Sequence, residues 1–203
     1  MTNPEIMKAA REALKGKWGI AILTFLIYNL IMSIGSLTAQ VDSGVNFMYS
    51  VVPLIFGGPL ALGAAGFSLA IARRQEAKLE QLFDGFKNFI NSMLTYWLMI
   101  VTILLWSLLL IVPGIIRAFS YAMTFYILAD QPTLDAKAAL AQSRSMMDGH
   151  KLRLFYLCLR FLGLAVLCIL TLGIGFLWLI PYVNVTMATF YEDLGREKRM
   201  DLV

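Results

Sequence analysis

Four polar side chains of this sequence lie inside long runs of apolar residues: Arg117, Arg160, Asn29 and Asn184. In an apolar medium, a guanidinium or an amide without a partner is costly, so each must pair within the protein or contact a ligand. The chemistry that these residue types offer is hydrogen bonding and anion binding.

Residue combinations that make and break bonds are not found. The single histidine, His150, has no cysteine or carboxylate cluster near it in the sequence, so the ligand spacing of a metal site is missing. Cys158 and Cys168 share one apolar run at a separation that exceeds disulfide distance on a helix. There is no Ser-His-Asp set, phosphate-binding loop or dinucleotide fingerprint. We therefore expect no enzymatic activity, no cofactor and no metal.

The composition indicates an integral membrane protein. Hydrophobic residues make up 59% of the chain and charged residues 15%, whereas a soluble domain has about half and about a quarter. Pro113 interrupts an apolar stretch that is too long for one crossing, so we expect a turn at Pro113-Gly114. The runs predict six membrane spans, at residues 18–38, 50–72, 91–112, 114–129, 153–171 and 174–190.

The distribution of basic residues predicts the orientation. With six spans, every one of the 17 Lys and Arg residues except Arg117 and Arg160 falls on the same side. Cytoplasmic loops collect Lys and Arg, so both termini are expected in the cytoplasm.

Three similar units follow one another along a single integral membrane domain, residues 1–203. Gly16, Gly85 and Gly149 each end an amphipathic cytoplasmic helix that precedes a transmembrane hairpin. The sequence thus predicts an all-α membrane fold of three hairpins with a threefold internal repeat. Basic and acidic residues alternate on the amphipathic helices, as on solvated faces, so no nucleic acid is expected as a partner. The units span about residues 1–72, 73–130 and 131–193, and a charged cytoplasmic tail follows at 194–203.

Arg117 and Asn29 each allow two interpretations. Arg117 lies about one turn below the outer end of the fourth span, where its long stem can lift the cation to the headgroups. Alternatively, it faces the bundle and receives an anion or a lipid phosphate. Asn29 shares a face with Ser33 and Ser36, and either bonds across to a neighbouring helix or contacts a substrate.

Arg160 and Asn184 are predicted at the same depth, about two turns above the cytoplasmic ends of their spans. We expect a hydrogen bond between them, with Glu192 or Asp193 close enough to neutralise the arginine. This pair is either a structural tie or the polar floor of a substrate cavity.

Small residues recur every four positions in the second span. Such rows let helix backbones approach closely, so we expect this span at the centre of the bundle. Self-association of two chains through the same surface is the alternative. The rows are Gly57, Ala61 and Ala65, and Ala64, Ser68 and Ala72.

Several motifs point to a known family. From "AREALKGKWG" to Asp193, the chain resembles a family of bacterial integral membrane proteins catalogued as domain of unknown function 975. The resemblance implies a bacterial inner-membrane protein and carries no activity with it. The matching motifs are Pro113-Gly114-Ile115-Ile116, Tyr121 with Met123, Ala129-Asp130, Ala139 with Ser143, and Ile180-Pro181-Tyr182.

Two functions remain open. The first is a non-enzymatic binding or assembly component whose partners, besides the lipid bilayer, are other membrane proteins or envelope lipids. The second is a small transporter or channel for an amphiphile or anion, with Arg117 at the outer mouth and Arg160 with Asn184 at the floor. A continuous polar cavity linking these residues would favour transport, and a tightly packed interior with exposed rows of small residues would favour assembly.

Overall fold

The computed structural model describes the backbone of residues 1–37 and 43–200, and the side chains of residues 1–33 and 53–198. Residue 38 of the predicted first span, residues 201–203 of the predicted tail and the side chain of Ser36 lie outside the described residues. Within the described ranges the elements are helices, and a 3-10 helix spans Leu79–Asn88. The α-helices are α1 (Asn3–Ala13), α2 (Trp18–Leu37), α3 (Ser43–Ala72), α4 (Phe89–Leu109), α5 (Ile111–Ser120), α6 (Thr124–Asp130), α7 (Ala136–Met146), α8 (Lys151–Leu170) and α9 (Phe176–Met200).

Several of these helices are suited to a membrane. In the described residues, four helical stretches are long and apolar enough to cross one: Pro53–Ala72, Leu79–Leu109, Ile111–Asp130 and Lys151–Leu170. A fifth results if α1 and α2, bent by 100° at their junction, form one span. The predicted sixth span falls in α9, which is not among them because Asn184, Glu192 and Asp193 lower its hydropathy.

The turn that ends α4 differs from the predicted one. It falls at Leu110, whose φ of −159° and ψ of 141° are extended, whereas Pro113 lies inside the first turn of α5. Proline is tolerated there because the first amides of a helix have no intrahelical acceptor. Gly114 instead permits close packing, since a Cβ built on it would lie 2.0 Å from Ser107 Oγ.

The predicted fourth span is broken between α5 and α6. Ser143 of α7 bridges the break: its hydroxyl donates to the Ser120 carbonyl at 2.9 Å and accepts from the Met123 amide at 3.2 Å. Backbone groups freed within a membrane protein need such partners. The contact therefore holds α7 beside the break.

The helix α3 occupies the centre of the molecule. Of its apolar stretch 72% is buried, against 11% for the stretch ending at Leu109 and 17% for α8. A Cβ on Gly63 would lie 1.8 Å from the Leu82 carbonyl oxygen, and one on Gly58 would lie 2.4 Å from that of Ser92. The predicted central position is confirmed, and glycines allow its neighbours to approach.

The second amphipathic segment packs one side on α3. Phe83 and Ile90 are exposed. In a 3-10 helix side chains three residues apart eclipse, so the face repeats every three residues. Leu82 and Gly85 are accordingly buried against α3.

Candidate functional site

One end of the molecule, called here the polar end, is held by a network of charges. The Arg73 guanidinium, at the end of α3, lies 2.7 Å from Asp130 Oδ1 and 2.6 Å from Glu192 Oε1. The Tyr191 hydroxyl donates to Asp130 Oδ2 at 3.2 Å. This network joins the ends of α3 and α6 to α9.

Arg73 keeps its charge within this network. Burial lowers the pKa of its guanidinium, but hydrogen bonds and charge attraction from Asp130 and Glu192 outweigh burial and raise it above the ordinary value. A raised pKa means that the stabilisation is complete below the ordinary value and is lost only as pH rises through the folded one. Throughout the pH range in which proteins are handled, the Arg73 guanidinium therefore remains charged.

The predicted bond between Arg160 and Asn184 is not formed. The Asn184 amide donates to the Ile180 carbonyl of its own helix at 2.9 Å, and Arg160 is exposed on α8. Arg153, two turns earlier, is the arginine of α8 that pairs with Asp193. Equal depth did not place the two side chains on facing sides of their helices.

Asn29 is also satisfied locally. Its amide donates to the Phe25 carbonyl of the same helix at 2.7 Å, and the residue is exposed. The predicted bond to a neighbouring helix is therefore not observed for this amide.

Arg117 takes part in a different arrangement. Its guanidinium carbon lies 4.5 Å from the ring centroid of Trp106, a distance at which a cation and an indole attract. A cavity of about 220 Å³ beside it is also lined by Arg144 and Lys151. Arg117 thus lines the same cavity as two basic residues that were predicted on the cytoplasmic side.

A larger cavity, of about 680 Å³, adjoins this one and shares Arg144 and Lys151 with it. We call the two together the basic groove. Lys137, Tyr121 and Asp148 line the larger part, along with Leu98 and Thr102 of α4 and Leu140 of α7. The groove therefore lies between α4, the break after α5, α7 and the start of α8.

The charges of the basic groove are unbalanced. Lys151 Nζ lies 3.5 Å from Asp148 Oδ1, and that carboxylate is itself 82% exposed. Among the described residues, no ion pair involves Arg117, Lys137 or Arg144. A guanidinium presents a planar fork of donors that matches a phosphate or carboxylate group. The groove is thus equipped to bind an anion.

Apolar side chains flank the basic groove. Val101 and Leu105 of α4 are 44% and 62% exposed, and Leu152 and Phe155 of α8 are 71% and 45% exposed. Exposed apolar surface of this extent is rare on soluble proteins and is expected where lipid covers the chain. A ligand with an anionic head and an apolar tail fits both parts of this surface.

Sequence reasoning missed Lys137, Arg144 and Lys151 as site residues. The interleaved charges of α7 indicate only a helix with a solvated face and do not reveal which helix lies beside it. The contact of Ser143 with the broken fourth span fixes that position. No group of three or more His, Cys, Asp or Glu side chains in the described part of the chain is placed to hold a metal.

Comparison with known proteins places this chain in a family. The profile of a family described as "Protein of unknown function (DUF975)" matches residues 1–122 and 108–198. The chain belongs to this family. The resemblance seen in the motifs around Pro113 and Pro181 is thereby confirmed. Neither the curated proteins nor the solved structures contain a significant match.

Proposed function

We propose that this family member is a non-enzymatic membrane protein that binds anionic lipid in the basic groove, as a binding component for envelope lipids. The observation that carries the proposal is the set of three cations, Arg117, Lys137 and Arg144, without carboxylate partners in a groove beside exposed apolar helices. A lipid phosphate would pair with these cations, and its acyl chains would cover the apolar flanks.

The packed interior supports binding over transport. Phe67 of α3, Ile127 of α6 and Phe190 of α9 are fully buried in the cores where these helices meet. A route along this axis would require these side chains to move. Arg160 and Asn184, the proposed floor of such a route, form no hydrogen bond with each other in the described residues, and neither lines the cavity beside Arg117.

The finer architecture that we propose is six spans in three repeated units. The way in which the units interlock supports it, because the amphipathic helix of each unit packs on the last helix of the preceding unit. The 3-10 helix packs on α3, α7 packs on α6, and α1 packs on α9, which closes the cycle. The small residues Gly57, Ala64 and Ala65 are buried within the chain, so an assembly partner would contact the exposed faces of α4 and α8.

The lipid proposal is tested by removing cations from the basic groove. We expect Arg144→Gln combined with Lys151→Gln to weaken the binding of dioleoylphosphatidylglycerol by about tenfold or more, since each basic residue contributes roughly fivefold near an anionic headgroup. The measurement is a native mass spectrometry titration of the protein in detergent.

Arg160→Gln is the matched control, because Arg160 is exposed on α8 and is not among the residues that line the groove. It should leave lipid binding within about twofold. Equal affinity of the double variant and the parent chain would rule out the proposal. So would displacement of the lipid by millimolar inorganic phosphate, which would indicate a free anion as the ligand.

We also propose that the chain lies in the bacterial plasma membrane with the polar end and both termini in the cytoplasm. In a chain with Cys158 and Cys168 replaced by alanine, Lys87→Cys should react with a membrane-impermeant maleimide in inverted vesicles only. Leu172→Cys, 94% exposed between α8 and α9, should react in spheroplasts only. Labelling of Lys87→Cys in intact spheroplasts would contradict this topology.

A further inference from the structure

We propose that the chain holds a second anionic-lipid site, in a groove of about 590 Å³ between α1, the start of α2, α8 and α9. Arg11 and Trp18 line one part of this second groove, and Leu164 and Trp178 line its apolar walls. The inference rests on the function proposed above, because it assigns the same ligand chemistry to another place in the repeat.

The two grooves carry an arginine at equivalent positions. Gly16 and Gly149 end the amphipathic segments of the first and third units, with φ angles of 77° and 79°. Counted from these glycines, Arg11 and Arg144 are both five residues before. Each lines its own groove. The repeat thus places one guanidinium in each.

Two further pairs keep this register. Met7 and Leu140 lie nine residues before the respective glycines, and Trp18 and Lys151 lie two residues after them. Every member of these pairs lines the groove of its own unit. A match at three positions supports the interpretation of the two grooves as copies of one site. The copies differ in charge, because the second groove has the Trp18 indole where the basic groove has the Lys151 ammonium group.

The second unit lacks this arginine. The position five residues before Gly85 is Glu80, so the arginine is replaced by a carboxylate. The 3-10 helix packs closely on α3: a Cβ on Gly85 would lie 1.9 Å from the Pro59 carbonyl oxygen. A cavity of about 410 Å³ beside this helix is lined by Gln81, Gly85 and Lys87 and has no guanidinium at the position equivalent to Arg11 and Arg144.

The second groove fits a lipid better than a free anion. Arg11 forms no ion pair and the Trp18 indole no hydrogen bond within the described part of the chain, so both remain available to a headgroup. The Tyr182 hydroxyl, by contrast, already donates a hydrogen bond to the Met7 carbonyl at 3.1 Å. The remaining walls are largely apolar, as an acyl chain requires, and a single phosphate satisfies a single guanidinium.

Tryptophan quenching by brominated lipid tests each groove separately. Of the four tryptophans in the chain, Trp18 lines the second groove and Trp106 the basic groove. Two reporter proteins each retain one of them, with the others replaced by phenylalanine, in dioleoylphosphatidylcholine vesicles containing brominated phosphatidylglycerol or brominated phosphatidylcholine. We expect about fivefold preferential quenching by phosphatidylglycerol at Trp18, the preference that one nearby cation provides.

Arg11→Gln should abolish this preference at Trp18 and leave it unchanged at Trp106. Arg144→Gln should lower the preference at Trp106 about fivefold, because other cations remain in the basic groove, and should leave the preference at Trp18 unchanged. Lys8→Gln, a change of an exposed cation on the same helix, should leave both preferences within about twofold. If the parent reporter shows no preference for phosphatidylglycerol at Trp18, or if that preference persists in Arg11→Gln, the second site is wrong. If the parent reporter shows no such preference at Trp106, the proposed function itself is wrong.

Discussion

Gly63→Ala will leave little folded protein, and we expect it to have the largest effect on stability of any glycine-to-alanine change within the described residues. The new Cβ would lie 1.8 Å from the Leu82 carbonyl oxygen and 2.5 Å from its carbonyl carbon. These are backbone atoms of the 3-10 helix, so no side-chain rotation can relieve the clash. The whole segment would have to move away from α3.

The expected loss is about 2 to 4 kcal/mol in the free energy of unfolding, at the upper end of what overpacking costs. Separation of α3 from the 3-10 helix would also expose Leu82, which is fully buried. Fluorescence-detected size-exclusion chromatography after heating in detergent measures the effect as a lower midpoint and a lower monodisperse yield.

Gly163→Ala is the matched control, since nothing lies within 4 Å of a Cβ at this position of α8. Alanine is preferred over glycine inside a helix by about 0.5 to 1 kcal/mol, so this variant should be as stable as the parent or slightly more so. Equal midpoints for Gly63→Ala and Gly163→Ala would show that the close approach of α3 and the 3-10 helix does not hold the fold together.

The sequence predicted where helices lie better than how they face one another. Apolar length and a helix-ending residue are local properties. The predicted end of the second span at Ala72 therefore agrees with the structure, and a glycine at position 149 does follow the end of α7. The break after Ser120 was not predicted, because no proline or glycine marks it. A serine from another unit satisfies the freed backbone groups, and such a partner cannot be read from the broken segment alone.

The same limit explains the predicted site residues. Depth in the bilayer follows from counting residues, but direction around the helix axis depends on packing. Arg160 and Asn184 were paired on depth alone, and the structure leaves one exposed and the other bonded to its own helix. For Arg144, by contrast, the sequence does contain a signal. Arg144 precedes Gly149 by the same five residues by which Arg11 precedes Gly16, and this match becomes visible when the repeated units are aligned on their glycines.

Arg73→Gln should destabilise the chain far more than the same change at the next residue. Arg73 is 32% exposed at its side chain and contacts both Asp130 and Glu192, whereas Arg74 is 74% exposed and lies 3.8 Å from Glu12. Removing Arg73 leaves two carboxylates that had shared one cation, so repulsion adds to the lost attraction. We expect a loss of about 2 to 3 kcal/mol for Arg73→Gln and less than about 0.5 kcal/mol for Arg74→Gln.

Removal of one carboxylate separates repulsion from attraction. Adding Asp130→Asn to Arg73→Gln should recover part of the loss, because a neutral amide beside Glu192 no longer repels it and can still accept from the Tyr191 hydroxyl. Unfolding midpoints of the parent, both single variants and the double variant form the cycle that measures this coupling. A double variant less stable than Arg73→Gln would mean that Asp130 holds α6 in place mainly through Tyr191, with little contribution from the arginine.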